Sequence, residues 1–262
     1  MPVKPVFSII IPVYNRPEEL DELLASILIQ EYDEVFDVCV IEDGSSVKSD
    51  LIVEKYRTEL PIHYFEKENT GPGPSRNFGM QKATGNYFII LDSDVILPKH
   101  YLATVAKQIE HKYTDAFGGP DTAHPNFSVL QKAINYSMTS FLTTGGIRGK
   151  KHSVGKFQPR SFNMGLSKKA FEITNGFSEM RAGEDIDLTF RLWNHGLETQ
   201  LIDNYDKCYV SCRHSNLPKG FLRPKFPSQG FLGSSMALGR VLFHFIREFG
   251  ELECVIEGFD LY

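Results

Sequence analysis

The sequence predicts an α/β protein with a mostly parallel central sheet and helices on both of its faces. Over the first hundred residues, short apolar runs alternate with segments whose apolar residues recur every three or four positions. The first of these runs, residues 6–13, is a continuous apolar run of the kind found in strands that are covered on both faces, and the links between the segments are short. An order of strand, helix, strand, helix is typical of parallel strands joined by crossover helices.

The first strand and helix illustrate the pattern. A strand is predicted over residues 6–13, where Ile9, Ile10 and Ile11 stand in sequence. The next helix begins near Pro17, because proline fits the first turn of a helix and the two glutamates that follow suit its positive end. The apolar face of this helix recurs at helical spacing. It consists of Leu20, Leu23, Leu24, Ile27 and Leu28.

The rest of the first half, which ends near residue 97, repeats this alternation, whereas the second half is less regular. Further strands are predicted over residues 36–41, 62–65, 87–91, 161–166 and 208–213. Further helices are predicted over residues 49–59, 75–83, about 98–112 and 184–195, and loops over 118–120 and 143–159. We assign residues 1–215 to one domain, with halves at about 1–97 and 98–215.

Residues 216–262 are predicted to form a C-terminal helical extension. A basic, proline-containing linker leads into a helix with one apolar face, formed by Leu238, Leu242, Phe245, Ile246 and Phe249. That face predicts packing against the body of the domain or a second copy of the chain, as in a homodimer. Peripheral contact with an anionic membrane surface is the alternative.

Composition narrows the class of protein. The 262 residues include 28 Lys and Arg against 33 Asp and Glu, a net charge of −5, which argues against a generally basic nucleic-acid binder. The apolar runs are far shorter than the roughly 18 residues needed to span a bilayer, and no secretory signal is visible. The four cysteines are few and scattered, so we expect a reduced, cytoplasmic protein.

Polar residues stand at the point where three predicted strands end. The first strand ends in Tyr14 and Asn15, the second in Glu42-Asp43-Gly44-Ser45, and the fourth in Asp92-Ser93-Asp94. The carboxyl ends of parallel strands meet at one edge of the sheet, where ligands of such folds bind. The topology therefore predicts a cleft lined by Tyr14, Asp43, Asp92 and Asp94.

Each of these groups has a functional and a structural interpretation. Asp92 and Asp94 have the oxygen ligands that Mg²⁺ and Mn²⁺ prefer, and these ions leave positions open for substrate phosphates. The alternative is a solvated turn or a helix cap. Asp43 suits a hydrogen bond to a base or ribose, and Tyr14 offers a ring for stacking. For these two, the alternatives are a turn and a half-buried aromatic side chain.

The segment 69–77 resembles a phosphate-binding loop only superficially. Arg76 stands where a dinucleotide fingerprint would have its third glycine, and the Gly-Lys-Ser/Thr of a P-loop does not follow. We interpret the segment either as a rigid loop that delivers Arg76 from a helix start towards the cleft, or as a purely structural element.

Acidic residues also open the helix predicted at residue 184. Glu184, Asp185 and Asp187 exceed what helix capping requires, so one of them is a candidate general base. His214 follows the last predicted strand and is a candidate metal ligand, with a surface or core histidine as the alternative. A zinc site with Cys208 and Cys212 is disfavoured, because that spacing has no matching second half.

Taken together, these motifs resemble the family 2 glycosyltransferases of the GT-A fold over roughly residues 6–215. The resemblance rests on the order and spacing of Ser8 to Asn15, Glu42-Asp43-Gly44-Ser45, Gly73 to Asn77, Leu91 to Asp94, Asn175-Gly176-Phe177, Gly183 to Leu188, and His214. It implies a Rossmann-like nucleotide-binding sheet and transfer of a sugar from a nucleotide sugar with inversion at the anomeric carbon.

The resemblance also implies roles for residues. The nucleotide would contact Pro12, Tyr14, Asn15, Asp43, Arg76, Asp92 and Ser93, with Asp43 on the base, usually uracil. Asp94 would ligate Mn²⁺ or Mg²⁺, with His214 as a second ligand. Asp185, beside Glu184, would be the catalytic base. We expect a hexosyl- or N-acetylhexosaminyltransferase that uses a UDP-sugar and a glycan or glycolipid acceptor in surface polysaccharide assembly, at the inner face of the membrane or in the cytoplasm.

Two departures and two rival functions remain at this point. Glu42 stands where many relatives have an aspartate, and the Gln-x-x-Arg-Trp motif of processive synthases is absent, which predicts transfer of one sugar per encounter. A nucleotidyltransferase would need a glycine-rich basic loop after the first strand, where this chain has Tyr14 to Pro17. A non-catalytic nucleotide-sugar or glycan-binding module would not need Asp185.

The basic loop from Arg148 to Lys156 suits either a lid over a diphosphate or a solvated surface.

Overall fold

The computed structural model describes residues 4–119, 121–122, 156–180, 183–202 and 208–210. Within these ranges a seven-stranded sheet has the order β3-β2-β1-β4-β8-β6-β9. Its strands are β1 (Phe7–Val13), β2 (Asp37–Asp43), β3 (Ile62–Lys67), β4 (Tyr87–Leu91), β6 (Ala116–Gly118), β8 (Asn163–Ser167) and β9 (Thr199–Leu201). A smaller sheet contains β5 (Val95–Ile96), β7 (Asp121–Thr122) and β10 (Cys208–Val210).

Six helices are described. They are α1 (Pro17–Leu28), α2 (Asp50–Tyr56), α3 (Pro72–Lys82), α4 (Tyr101–His111), α5 (Lys168–Thr174) and α6 (Glu184–Asn194). The prediction of a mostly parallel sheet with flanking helices is confirmed, because β1, β2, β3 and β4 run parallel. Strand β8 runs antiparallel to both of its neighbours, β4 and β6.

The side chains of β1 divide between two apolar cores. Phe7, Ile9 and Ile11 pack on one face of the sheet with α1, α2 and α4, whereas Ile10 packs on the other face with residues of α3, α5 and α6. Burial of each such side chain contributes about 1.5–3 kcal/mol. The continuous apolar run that predicted β1 is thus explained by cover on both faces.

Several predicted boundaries differ from the structure. Helix α3 begins at Pro72 rather than residue 75; prolines are tolerated in a first turn, where amide donors lack partners anyway. Strands β5, β6, β7 and β9 and helix α5 have no counterpart in the prediction, and Gly118, predicted as loop, ends β6. Most of the predicted loop 143–159, the end of the predicted strand at 208–213 and the extension 216–262 lie outside the described residues.

Among the residues that the structure describes, no helix is both long enough and apolar enough to cross a membrane.

Candidate active site

The carboxyl ends of β1 and β2 are joined by Asn15. This residue has φ 54°, a left-handed conformation that asparagine tolerates better than most residues. Its Oδ1 accepts hydrogen bonds from the backbone amides of Ser46 at 2.8 Å and Val47 at 2.9 Å. Asn15 therefore holds the loop after β2 against the end of β1. The neighbouring Tyr14 ring is 52% exposed and available to a ligand.

Asp43, the last residue of β2, has its carboxylate fixed by several donors. Lys67 Nζ and the Thr70 amide donate to Oδ1 at 2.5 and 2.9 Å, and the Gly71 amide donates to Oδ2 at 2.9 Å. Burial alone would raise the pKa of Asp43, but these hydrogen bonds outweigh it and lower the pKa. Asp43 is therefore held as an ionised hydrogen-bond acceptor.

The preceding residue, Glu42, shapes the loop that follows β2. Its carboxylate accepts hydrogen bonds from the Ser45 hydroxyl, from the Ser49 amide at 2.8 Å and from Tyr64 Oη at 3.0 Å. Glu42 is only 2% exposed, so these bonds replace the water it loses. Glu42 thus stabilises the loop after β2 and makes none of these contacts with a ligand.

Asp92, Ser93 and Asp94 follow β4. Ser93 is buried, and Asp94 has a side chain only 14% exposed whose Oδ2 lies 3.1 Å from Arg16 Nη1. Burial, together with the charge of Asp92, raises the pKa of Asp94 to about 6 in spite of Arg16. The surroundings of Asp94 therefore contain too little positive charge for a buried carboxylate.

These two carboxylates fit a hard divalent cation. Mg²⁺ and Mn²⁺ are commonly held by one or two carboxylates together with substrate phosphates. A bound cation would supply the positive charge needed to keep the buried Asp94 carboxylate ionised. In the described part of the chain, no cluster of three or more His, Cys, Asp or Glu side chains is placed to hold a metal ion. His214, the second predicted ligand, lies outside the described residues.

Arg76 joins the end of β4 to the start of α6. Its Nη2 lies 2.7 Å from Asp92 Oδ1, and its Nη1 lies 2.8 Å from Glu184 Oε1. The guanidinium also lies over the Phe177 ring, 5.2 Å from its centroid. Burial would lower the pKa of Arg76, but the two carboxylates hold it above its ordinary value. Arg76 is predicted to contact the nucleotide, but the residue is 3% exposed and is paired with two carboxylates of the protein itself.

Glu184 and Asp185 occupy the first turn of α6, directly after Gly183, whose φ of 82° suits glycine. Asp185 Oδ1 accepts a hydrogen bond from the Ile186 amide at 2.8 Å, and Oδ2 lies 3.4 Å from Arg160 Nη1. Asp185 keeps a 13% exposed side chain. Its carboxylate is thus oriented on both oxygens and still reachable.

The structure brings most of the predicted residues to one edge of the sheet. Asp43 ends β2, Asp92 and Asp94 follow β4, and Arg76 links Asp92 to Glu184. Pro12 is partly buried within β1, where it pairs with Ile41 of β2.

Sequence reasoning missed three cations at this edge: Arg16, Lys67 and Arg160. Arg16 precedes the helix predicted near Pro17, and nothing in that pattern indicates a contact to Asp94. A signal existed for Lys67, because it ends β3 as Asp43 ends β2, and neighbouring parallel strands bring such residues together. No comparable signal in the sequence pairs Arg160 with Asp185.

Comparison with known proteins agrees with this architecture. The family model described as "Glycosyl transferase family 2" matches residues 8–172. The poly(ribitol-phosphate) beta-N-acetylglucosaminyltransferase TarS of Staphylococcus aureus is 35% identical over 112 residues, which cover 42% of this chain and 20% of TarS. Glycosyltransferase GlyA of Streptococcus pneumoniae is 34% identical over 109 residues, which cover 41% of this chain and 16% of GlyA. The matches thus span a fifth or less of these two relatives.

Solved structures share the fold. TarS 1–349 of S. aureus in complex with UDP-GlcNAc superposes with a TM-score of 0.62 at 21% identity, covering 92% of this chain and 66% of that one. The mannosyltransferase PcManGT from Pyrobaculum calidifontis, in complex with GDP-Man and Mn²⁺, has a TM-score of 0.60 at 15% identity, covering 94% and 64%. The described sheet is that of the GT-A fold, and with the family match over residues 8–172 the chain belongs to glycosyl transferase family 2.

Proposed function

We propose that this protein transfers a single hexosyl or N-acetylhexosaminyl group from a UDP-sugar to a hydroxyl of a glycan or lipid-linked acceptor, with inversion at the anomeric carbon. The observation that carries the proposal is the line of contacts from Asp92 through Arg76 to Glu184, the neighbour of Asp185. It joins the strand end suited to a donor diphosphate to the helix that bears a candidate base.

The state of Asp43 supports a base with an N–H on its pairing edge. Because Asp43 is an ionised acceptor held by Lys67, Thr70 and Gly71, it cannot donate a proton to a ligand. Uracil offers N3–H to such an acceptor, and cytosine offers the N–H groups of its N4 amino group. Guanine also offers an N–H, so uracil is chosen on the likeness to TarS, a relative named as an N-acetylglucosaminyltransferase whose fold has been solved with UDP-GlcNAc.

Asp92 and Asp94 would hold Mn²⁺ or Mg²⁺, with His214 as a further ligand. When bound, such an ion acts as a Lewis acid that neutralises charge on the departing nucleoside diphosphate. The chain's own contribution is a pair of carboxylates after β4, of which Asp92 is oriented by Arg76 and Asp94 by Arg16.

Asp185 would remove the proton from the acceptor hydroxyl. The hydroxyl oxygen forms a bond to the anomeric carbon on the face opposite the diphosphate, while the bond from that carbon to the diphosphate oxygen breaks. This single displacement inverts the carbon and leaves the proton on Asp185. The Ile186 amide and Arg160 hold both carboxylate oxygens in place. A single displacement needs no covalent intermediate.

A panel of UDP-, GDP- and CDP-sugars with Mn²⁺ tests the proposal. Thermal stabilisation reports binding, because a ligand that binds only the folded state raises the melting temperature, and nucleoside diphosphate release reports slow hydrolysis. We expect UDP-sugars to stabilise the protein and to be hydrolysed. Stabilisation without any release, with or without acceptor glycans, would favour the non-catalytic binding module. Stabilisation by CDP-sugars alone would contradict the choice of uracil.

A further inference from the structure

Asn77, the residue after Arg76 on α3, makes a paired contact to a single backbone position. Its Nδ2 donates to the Phe177 carbonyl at 2.7 Å, and its Oδ1 accepts from the Phe177 amide at 2.8 Å. One side-chain amide thus satisfies both backbone groups of Phe177, as the neighbouring strand would in a sheet. The function proposed above gives Asn77 no part.

The segment that Asn77 holds needs such an anchor, because it reverses direction in an unusual conformation. Asn175 and Gly176 both have positive φ angles, 57° and 71°. A Cβ on Gly176 would lie 2.2 Å from Asn77 Oδ1, so the contact depends on a bare backbone. The turn is therefore closely fitted to the Asn77 amide rather than loosely covered by it.

The same face of α3 contacts this segment at three positions. Gly73, Arg76 and Asn77 are spaced at i, i+3 and i+4, so they lie on one side of the helix. A Cβ on Gly73 would lie 2.8 Å from the Ser178 carbonyl oxygen, and Arg76 lies over Phe177 and binds Glu184. The N-terminal side of α3 carries Thr70 and Gly71, whose amides fix Asp43. The helix and the two residues before it thus contact Asp43, proposed to bind the base, and Glu184, the neighbour of the proposed proton acceptor Asp185.

We propose that Asn77 is a positioning residue for the proton-transfer step, acting by fixing the turn at Phe177, whose ring lies against Arg76, the residue that binds Glu184 beside Asp185. The inference rests on the proposed function. Asn77 makes no direct hydrogen bond to a residue proposed to bind the donor, because both of its hydrogen bonds go to Phe177 and neither goes to Asp43, Asp92 or Asp94. Loss of Asn77 should therefore slow turnover without weakening the donor complex.

The test compares Asn77→Ala with Gln81→Ala, a change at an exposed position of the same helix. For Asn77→Ala we expect kcat to fall by about 10- to 100-fold, since small displacements of a reacting group have effects of that size. The KM for the UDP-sugar and the affinity for UDP should change by less than about 2-fold. Gln81→Ala should match the wild type in both. Asn77→Asp, which keeps the acceptor for the Phe177 amide, should fall between them.

Amide hydrogen exchange keeps the test independent of turnover. Exchange at Phe177 and the following described residues should accelerate in Asn77→Ala, while β1 and β2 stay protected. Unchanged exchange at Phe177, an unchanged kcat, or a KM for the donor that rises in parallel with the loss of kcat would each overturn the inference. If the wild type binds UDP but turns over no donor, the proposed function fails by itself, and exchange at Phe177 still decides whether Asn77 fixes the turn.

Discussion

Replacing Arg76 by glutamine should destabilise the folded protein far more than an ordinary loss of a surface charge. The Arg76 side chain is 4% exposed and that of Glu184 is 10% exposed, with 2.8 Å between Nη1 and Oε1. Removing one partner of a buried ion pair leaves the other charge uncompensated, at a cost of about 3–5 kcal/mol. Loss of the contact to Asp92 adds less to this cost, because the Asp92 side chain is 37% exposed and its carboxylate can be hydrated once Arg76 is gone.

Urea unfolding followed by circular dichroism gives the free energy of unfolding for each variant. Arg57→Gln is the matched control, because Arg57 and Glu54 pair at 2.9 Å with side chains 50% and 69% exposed. That variant should lose less than about 1 kcal/mol.

A double variant separates charge burial from lost packing. In Arg76→Gln with Glu184→Gln, no uncompensated glutamate is left, so the double variant should be more stable than the sum of the single losses predicts, by about 1–3 kcal/mol. The reasoning is refuted if Arg76→Gln costs no more than Arg57→Gln, or if the two losses at positions 76 and 184 simply add.

Two further predictions concern the donor side of the site. Because the pKa of Asp43 is lowered in the folded state, its contribution to stability is present above the ordinary pKa of aspartate and is lost as pH falls through the lowered value. Asp43→Asn should therefore flatten the acid side of the stability curve, as measured by unfolding. It should also weaken UDP binding about 10-fold in calorimetry, because a hydrogen bond to a charged group contributes about 1.5–3 kcal/mol. Asp94→Ala should abolish the Mn²⁺-dependent part of UDP binding, as measured by calorimetry with and without Mn²⁺. If Mn²⁺ strengthens UDP binding as much in this variant as in the wild type, Asp94 does not hold the ion.

The first half of the fold could be predicted because its signals are local and repeated. The apolar runs lie in parallel strands, of which β1, β2 and β4 are covered on both faces and β3 is a partly exposed edge strand. The strands β1 to β4 therefore follow from pattern and order, and the edge that carries Asp43, Asp92 and Asp94 follows from topology. The second half gave weaker signals. Strands β6 and β9 have three residues each, too few for a period, and nothing local in Asn163–Ser167 tells that β8 runs antiparallel.

The contacts that organise the site could not be predicted for a different reason. Arg76 pairs with Asp92, 16 positions further along the chain, and with Glu184, 108 positions further along. Asn77 pairs with Phe177, 100 positions further along. A sequence shows that Arg76 lies near the cleft but not whether its charge meets a phosphate or a carboxylate, because that depends on burial. Lys67, by contrast, was within reach of topology, since it pairs in register with Asp43.

The most direct measurement compares the wild type with Asp185→Asn for sugar transfer from a UDP-sugar and, on the same samples, for UDP affinity in the presence of Mn²⁺. A side-chain amide cannot take the proton of the attacking hydroxyl, so transfer should fall by about 10²-fold or more, while UDP affinity stays within about 2-fold. Turnover at the wild-type rate would show that the carboxylate at residue 185 does not drive the displacement.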